Sequence, residues 1–142
     1  MNPKYMKRAI ELAKKGIGYT NPNPIVGCVV VKNDKIIAKG YHKKIGGFHA
    51  ERNALTNCKE DTTGAELYVT LEPCCHYGKT PPCTEIIIEK KIKKVYVGSM
   101  DPNKLVEGKG VKILKEHGIE VKCGILKDEC DKLNEVFFHY IT

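Results

Sequence analysis

The sequence has no tryptophan and only three phenylalanines. It also has no apolar run approaching the ~18 residues that a membrane span needs. The longest apolar stretch, Ile25 to Val31, is broken by Gly27. Near the N-terminus, Lys4, Lys7 and Arg8 stand among Met6, Ala9 and Ile10, without the apolar segment of a signal peptide. The expectation is a cytoplasmic protein with no membrane partner. No Gly-rich dinucleotide fingerprint, internal repeat or low-complexity tract occurs. There is no basic block or paired aromatic platform of the kind that grips single-stranded nucleic acid. Acid is the scarcer charge, 17 Asp and Glu against 24 Lys and Arg, for a net charge of +7. Such an excess favours anionic partners such as phosphorylated metabolites or RNA. The lysines are spread along the whole chain, as on a solvated surface.

What is present suits one compact domain. A chain of 142 residues, 42% hydrophobic and 29% charged, is ordinary for a globular protein and long enough to bury a core. Cysteine is the anomaly: Cys28, Cys58, Cys74, Cys75, Cys83, Cys123 and Cys130. An odd count without a secretion signal argues against a disulfide framework and for metal binding or catalysis by some of them. Three cluster between Cys74 and Cys83. Cys28 and Cys123 lie in strand-like stretches, where a free thiol is expected to pack as a small hydrophobe.

Hydrophobic spacing predicts a helix from Pro3 to Lys15, capped by Asn2, with Met6, Ala9, Ile10 and Ala13 on its apolar face. Val26–Lys32 and Lys35–Tyr41 read as strands joined by a tight Asn33-Asp34 turn. A helix from about His49 to Cys58 follows, then a strand over Glu66–Leu71. Next come a helix near Cys83–Lys91, a strand over Lys94–Gly98 and a helix over Gly110–His117. The chain closes with a strand at Ile119–Gly124 and a helix from Lys127 to about His139. This order predicts a three-layer α/β/α domain with a five-stranded mixed sheet, each strand after the hairpin pairing parallel through a helical crossover. The ligand site belongs beyond the strand C-termini.

Those ends carry the chemistry. His49-Ala50-Glu51 follows the second strand; Glu72-Pro73-Cys74-Cys75-His76 follows the third and leads to Pro81-Pro82-Cys83. One imidazole and two thiols form a zinc ligand set, and three protein ligands leave a fourth position for water, as in catalytic sites. Zinc lowers the pKa of that water to roughly 7, and Glu51 supplies a carboxylate to take and return the proton. In a helix interior, residues two apart point to nearly opposite faces. His49 and Glu51 can therefore share a site only if the entering loop directs His49. Cys83, after two prolines, falls at a helix N-terminus, where the dipole favours a thiolate. His76 as a fourth ligand would close the site, and Cys75 is a second candidate thiol.

His49-Ala50-Glu51 with Pro73-Cys74 resembles the signature of the cytidine deaminase-like zinc deaminases, although nine positions rather than three separate Cys74 from Cys83. The stretch Glu72 to Cys83 is similar to the deaminase domain of the bifunctional riboflavin biosynthesis enzyme. So are Asn21-Pro22-Asn23-Pro24-Ile25-Val26-Gly27, Gly40-Tyr41-His42, and Asp101-Pro102-Asn103 with Gly108-Lys109-Gly110. Phe48, Arg52 and Lys104 depart from that pattern beside the motifs. The resemblance covers nearly the whole chain in the same order. It implies a cytidine deaminase-like fold and hydrolytic deamination of a 2,5-diaminopyrimidinone carrying a ribosylamino 5-phosphate. It also implies zinc on His49, Cys74 and Cys83, with Glu51 moving protons. Asn23 would hydrogen-bond the base, and His42, His76, Lys79, Asp101 and Asn103 would line the ribose phosphate side. It further implies a homodimer or larger assembly. The family usually continues into a reductase domain that uses NADPH, and residues 1–142 are read as the deaminase domain alone. A nucleic-acid base deaminase and a non-catalytic zinc module are the other classes the residues allow.

Overall fold

The computed structural model describes residues 1–15, 25–42, 49–74, 82–100, 107–133 and 135. Five helices and five strands alternate after an opening hairpin: α1 (Pro3–Lys14), β1 (Gly27–Lys32), β2 (Lys35–Tyr41), α2 (Ala50–Thr56), β3 (Glu66–Leu71), α3 (Cys83–Glu89), β4 (Lys94–Ser99), α4 (Lys109–Glu116), β5 (Glu120–Cys123) and α5 (Lys127–Leu133). Asn2 caps α1 as expected, its Oδ1 accepting the Lys4 N–H at 3.1 Å. Asn33 and Asp34 both adopt positive φ, 53° and 58°, which matches the right-handed twist of the flanking strands and closes the hairpin.

The strands form one mixed sheet in the order β2-β1-β3-β4-β5. The expected five-stranded sheet is present, but one pairing differs. The crossover through α2 does carry β3 parallel to β2, yet it passes over β1. β3 therefore lands beside β1 and pairs with it antiparallel, Cys28 opposite Val69. β4 and β5 then add in parallel. As a result the start of β1 lies at the same sheet edge as the ends of β2, β3 and β4. Of the candidate site residues, the described ones, His42, His49, Glu51, Cys74 and Cys83, collect at that edge.

Alternation along the strands divides the core between two faces. Cys28, Val30, Leu67, Val69, Val95 and Val97 point toward α2, α3 and α4. Val29, Val31, Tyr68 and Tyr96 point toward α1 and α5, where Tyr5, Met6, Ala9 and Ile10 meet them. Both faces are covered, which is why the central strands read as unbroken apolar runs. Cys28 packs as the sequence suggests. Cys123 does not: β5 is an edge strand that buries only Val121, and Cys123 is exposed. The terminal helix is described to Leu133; the rest of the stretch expected to be helical, apart from residue 135, lies outside the described residues.

Two glycines bring helices into backbone contact with the hairpin. A Cβ on Gly27 would lie 1.8 Å from the Ala9 carbonyl oxygen of α1. On Gly40 it would lie 2.6 Å from both the Ala50 carbonyl oxygen and the Ala54 nitrogen of α2. Neither neighbour can move without moving its helix. Gly40→Ala is therefore expected to cost about 3 kcal/mol, the upper range for overpacking a tight contact. Urea unfolding checks it, and an unchanged midpoint would refute the close approach.

Candidate metal centre

α2 begins one residue after His49, which is its N-cap with φ −68° and ψ 165°. That extended conformation removes the objection raised by helical periodicity. His49 takes its direction from the incoming chain, while Glu51 takes its own from the first turn. Both side chains reach the same place. The helix is tied to the end of β2 by Asn53, whose Nδ2 donates to the Tyr41 carbonyl at 2.8 Å.

Cys74 lies just beyond β3, and Cys83 is the first residue of α3, after Pro82 at the N-cap. The Cys83 N–H donates to Cys74 Sγ at 3.2 Å, and the Thr84 N–H donates to the Cys74 carbonyl at 3.2 Å. The start of α3 thus holds the Cys74 segment through backbone donors.

The donor atoms of His49, Cys74 and Cys83 all lie within 4.8 Å of one another. His49 Nδ1 faces both sulfurs, 3.5 Å from Cys74 Sγ and 3.4 Å from Cys83 Sγ. A tetrahedron with Zn–S ~2.3 Å and Zn–N ~2.05 Å has a nitrogen–sulfur edge of roughly 3.6 Å. The spacing fits zinc. Among the described residues this is the group of His, Cys and acidic side chains arranged to hold a metal.

The electrostatics suit both a metal and proton transfer. In the protein alone, Cys74 carries the charge of the thiol pair. Hydrogen bonding from Cys83 pulls its pKa down to about 4, with His49 assisting against burial. Cys83 is pushed up instead, by its hydrogen bond to Cys74, by burial and by the nearby Glu51. His49 is raised by its hydrogen bond to Cys74. Glu51 is only 3% exposed, and burial, followed by the Cys74 charge, lifts it to about 7. A carboxyl titrating near neutrality can both take and give a proton.

His42 lies at the end of β2, 4% exposed, its ring edge-on to His49 with centroids 5.3 Å apart. It is a packed neighbour of the metal set rather than an exposed loop histidine. Asn23, Cys75, His76, Lys79, Asp101 and Asn103 lie outside the described residues.

Two contacts at this edge have no counterpart in the sequence analysis. Thr70 Oγ1 accepts the Gly27 N–H at 3.1 Å, anchoring the start of β1 to β3. Glu72 sends its carboxylate to α4, accepting from the Gly108 N–H at 3.0 Å and the Val111 N–H at 3.2 Å. One sequence signal pointed that way. α4 starts after a glycine, which has no side chain to cap it, so an acceptor must come from elsewhere.

Residues 1–99 match the family described as the cytidine and deoxycytidylate deaminase zinc-binding region. The riboflavin biosynthesis protein RibD of Actinobacillus pleuropneumoniae is 65% identical over 137 residues, which cover 96% of this chain and 36% of that protein. A diaminohydroxyphosphoribosylamino-pyrimidine deaminase of Buchnera aphidicola is 53% identical, with 94% of this chain and 91% of that protein covered. In structure, a diaminohydroxyphosphoribosylaminopyrimidine deaminase/5-amino-6-(5-phosphoribosylamino)uracil reductase of Thermotoga maritima superposes with a TM-score of 0.94 at 56% identity. That match covers 98% of this chain and 40% of the other. The chain thus spans little more than a third of the RibD protein's length. It belongs to the diaminohydroxyphosphoribosylaminopyrimidine deaminases, within the cytidine and deoxycytidylate deaminase zinc-binding family.

Proposed function

We propose that residues 1–142 form one deaminase domain that hydrolyses the 2-amino group from 2,5-diamino-6-(5-phosphoribosylamino)pyrimidin-4-one. The products are 5-amino-6-(5-phosphoribosylamino)uracil and ammonia. One observation carries the reading: His49 Nδ1 stands at tetrahedral-edge distances from two thiols, with buried Glu51 beside them. The names of the Actinobacillus, Buchnera and Thermotoga proteins support the substrate class.

His49, Cys74 and Cys83 would hold zinc, whose Lewis acidity brings a water near pKa 7 when the metal is bound. Glu51 would take a proton from the water that attacks the ring carbon bearing the amine. It would deliver that proton to the adjacent ring nitrogen, take a second from the hydroxyl now on the ring carbon, and give that one to the departing nitrogen as the carbon–nitrogen bond breaks and the carbonyl forms. Its burial excludes competing water and keeps its proton affinity near that of the groups it serves. His42 packs on the face of the site next to His49. Asn23 is assigned to the base, and His76, Lys79, Asp101 and Asn103 to the ribose phosphate. A cytoplasmic setting and self-association into a dimer or larger assembly complete the reading. No described helix is long and apolar enough to cross a membrane.

Purified protein is expected to carry one zinc per chain. Cys83→Ser should lose most of it; full zinc retention with normal turnover would remove Cys83 from the ligand set. Glu51→Gln should keep fold and zinc while kcat falls by ~10²-fold or more, and wild-type ammonia release would refute the proton shuttle.

Lys79→Ala should lower kcat/KM on the phosphorylated substrate by roughly 1–3 kcal/mol, the scale of a charged hydrogen bond. It should barely change a dephosphorylated analogue. Equal wild-type kcat/KM on the two pyrimidines would overturn the phosphate assignment. Faster deamination of a base within RNA would overturn the substrate itself.

A further inference from the structure

Glu72 has a place in the fold that the reaction does not require and packing does not explain. It is 7% exposed, at the end of β3 and two residues before Cys74. α4 opens on Gly108, which adopts φ 82° and has no side chain to cap the helix. A self-capped helix satisfies its N-cap and third-position N–H groups with two side chains of its own. Here one carboxylate from another element takes both: Oε1 accepts from Gly108 at 3.0 Å and Oε2 from Val111 at 3.2 Å. The negative charge also sits at the positive end of the helix. Gly110, between these two donors, lets α4 press directly on this segment: a Cβ there would meet the Pro73 carbonyl oxygen at 2.2 Å.

The three residues from Glu72 to Cys74 are therefore held by three different elements. The Glu72 N–H donates to the Ser99 carbonyl of β4 at 2.8 Å. The Glu72 side chain and Pro73 engage α4, and Cys74 is held by the Cys83 and Thr84 amides of α3. Of the side chains in these ties, Glu72 is the one that is not itself read as a metal ligand, so its tie to α4 can be removed by substitution while the ligand set stays intact.

We propose that Glu72 is a positioning residue, a clamp that fixes the first turn of α4 and the Cys74 segment as one rigid unit. The inference rests on the reading of His49, Cys74 and Cys83 as the metal ligands and deepens it. Because Glu72 already occupies the Gly108 and Val111 amides, those two donors are not free for the substrate's phosphate.

The test compares wild type, Glu72→Gln and Glu72→Ala as full-length, zinc-loaded protein. Glutamine keeps the volume but has one accepting oxygen for two donors; alanine removes both acceptors. Two readouts decide. The first is amide exchange at Gly108, Val111 and Thr84, the last reporting the Cys74 carbonyl. The second is zinc release to a chromogenic chelator. Glu72→Gln should quicken exchange at all three amides and speed zinc release by about tenfold, the scale on which outer partners tune metal affinity. Glu72→Ala should exceed it; if that variant does not fold, the glutamine variant decides alone. Wild-type exchange at Thr84 together with wild-type zinc release would overturn the proposal, even if thermal stability dropped, because a helix cap alone would produce that pattern. Wild-type protein that holds no zinc would instead refute the metal-site reading, and exchange at Thr84 would then decide the clamp.

Discussion

Three donor atoms must stand about 3.6 Å apart for one small cation to bind all of them, and here they come from three separate places in the chain. His49 precedes α2, Cys74 follows β3 and Cys83 opens α3. None of these segments holds the spacing by itself. The sheet supplies it, by ending β2, β3 and β4 along one edge and closing the intervening gaps with backbone hydrogen bonds. Without the metal, the same crowding forces one negative charge onto a pair of sulfurs and raises the proton affinity of Glu51 beside them. Metal affinity and acid–base competence thus have a common origin in the close packing of these groups at one end of the sheet.

Much of this was legible in the residues. Element boundaries were readable because both faces of the sheet are covered, giving apolar runs that the Asn33-Asp34 turn interrupts. The candidate ligand set was readable because His49 and Cys74 fall in the segments that follow β2 and β3, with Cys83 after two prolines at the start of the next helix. The contest over His49 was settled by one dihedral pair, which no periodicity argument can supply. The β1–β3 pairing was less accessible. A helical crossover fixes the direction of the next strand but not how many strands it passes over, and here it passes over one.

Other features were hidden because they are relations between distant residues. Nothing in the composition near Glu72 announces a partner at Gly108, thirty-six positions away. Thr70 looks like any other β-branched strand residue until the Gly27 amide is found against it. Cys123 looked like a core thiol because it lies in a strand-like stretch, whereas β5 is an edge strand and leaves it exposed. In each case tertiary placement, not local preference, assigned the role.

The contact at Gly40 has a consequence for how this protein can change over generations. Most tight contacts join two side chains, so damage to one can be repaired by shrinking the other. Gly40 meets the backbone of α2 at Ala50 and Ala54, and no substitution shortens a carbonyl or an amide. Relief could come only by displacing the helix, which would carry His49 and Glu51 out of register with the two thiols. In a selection for restored function, a lesion at Gly40 should yield true revertants and few suppressors elsewhere in the gene.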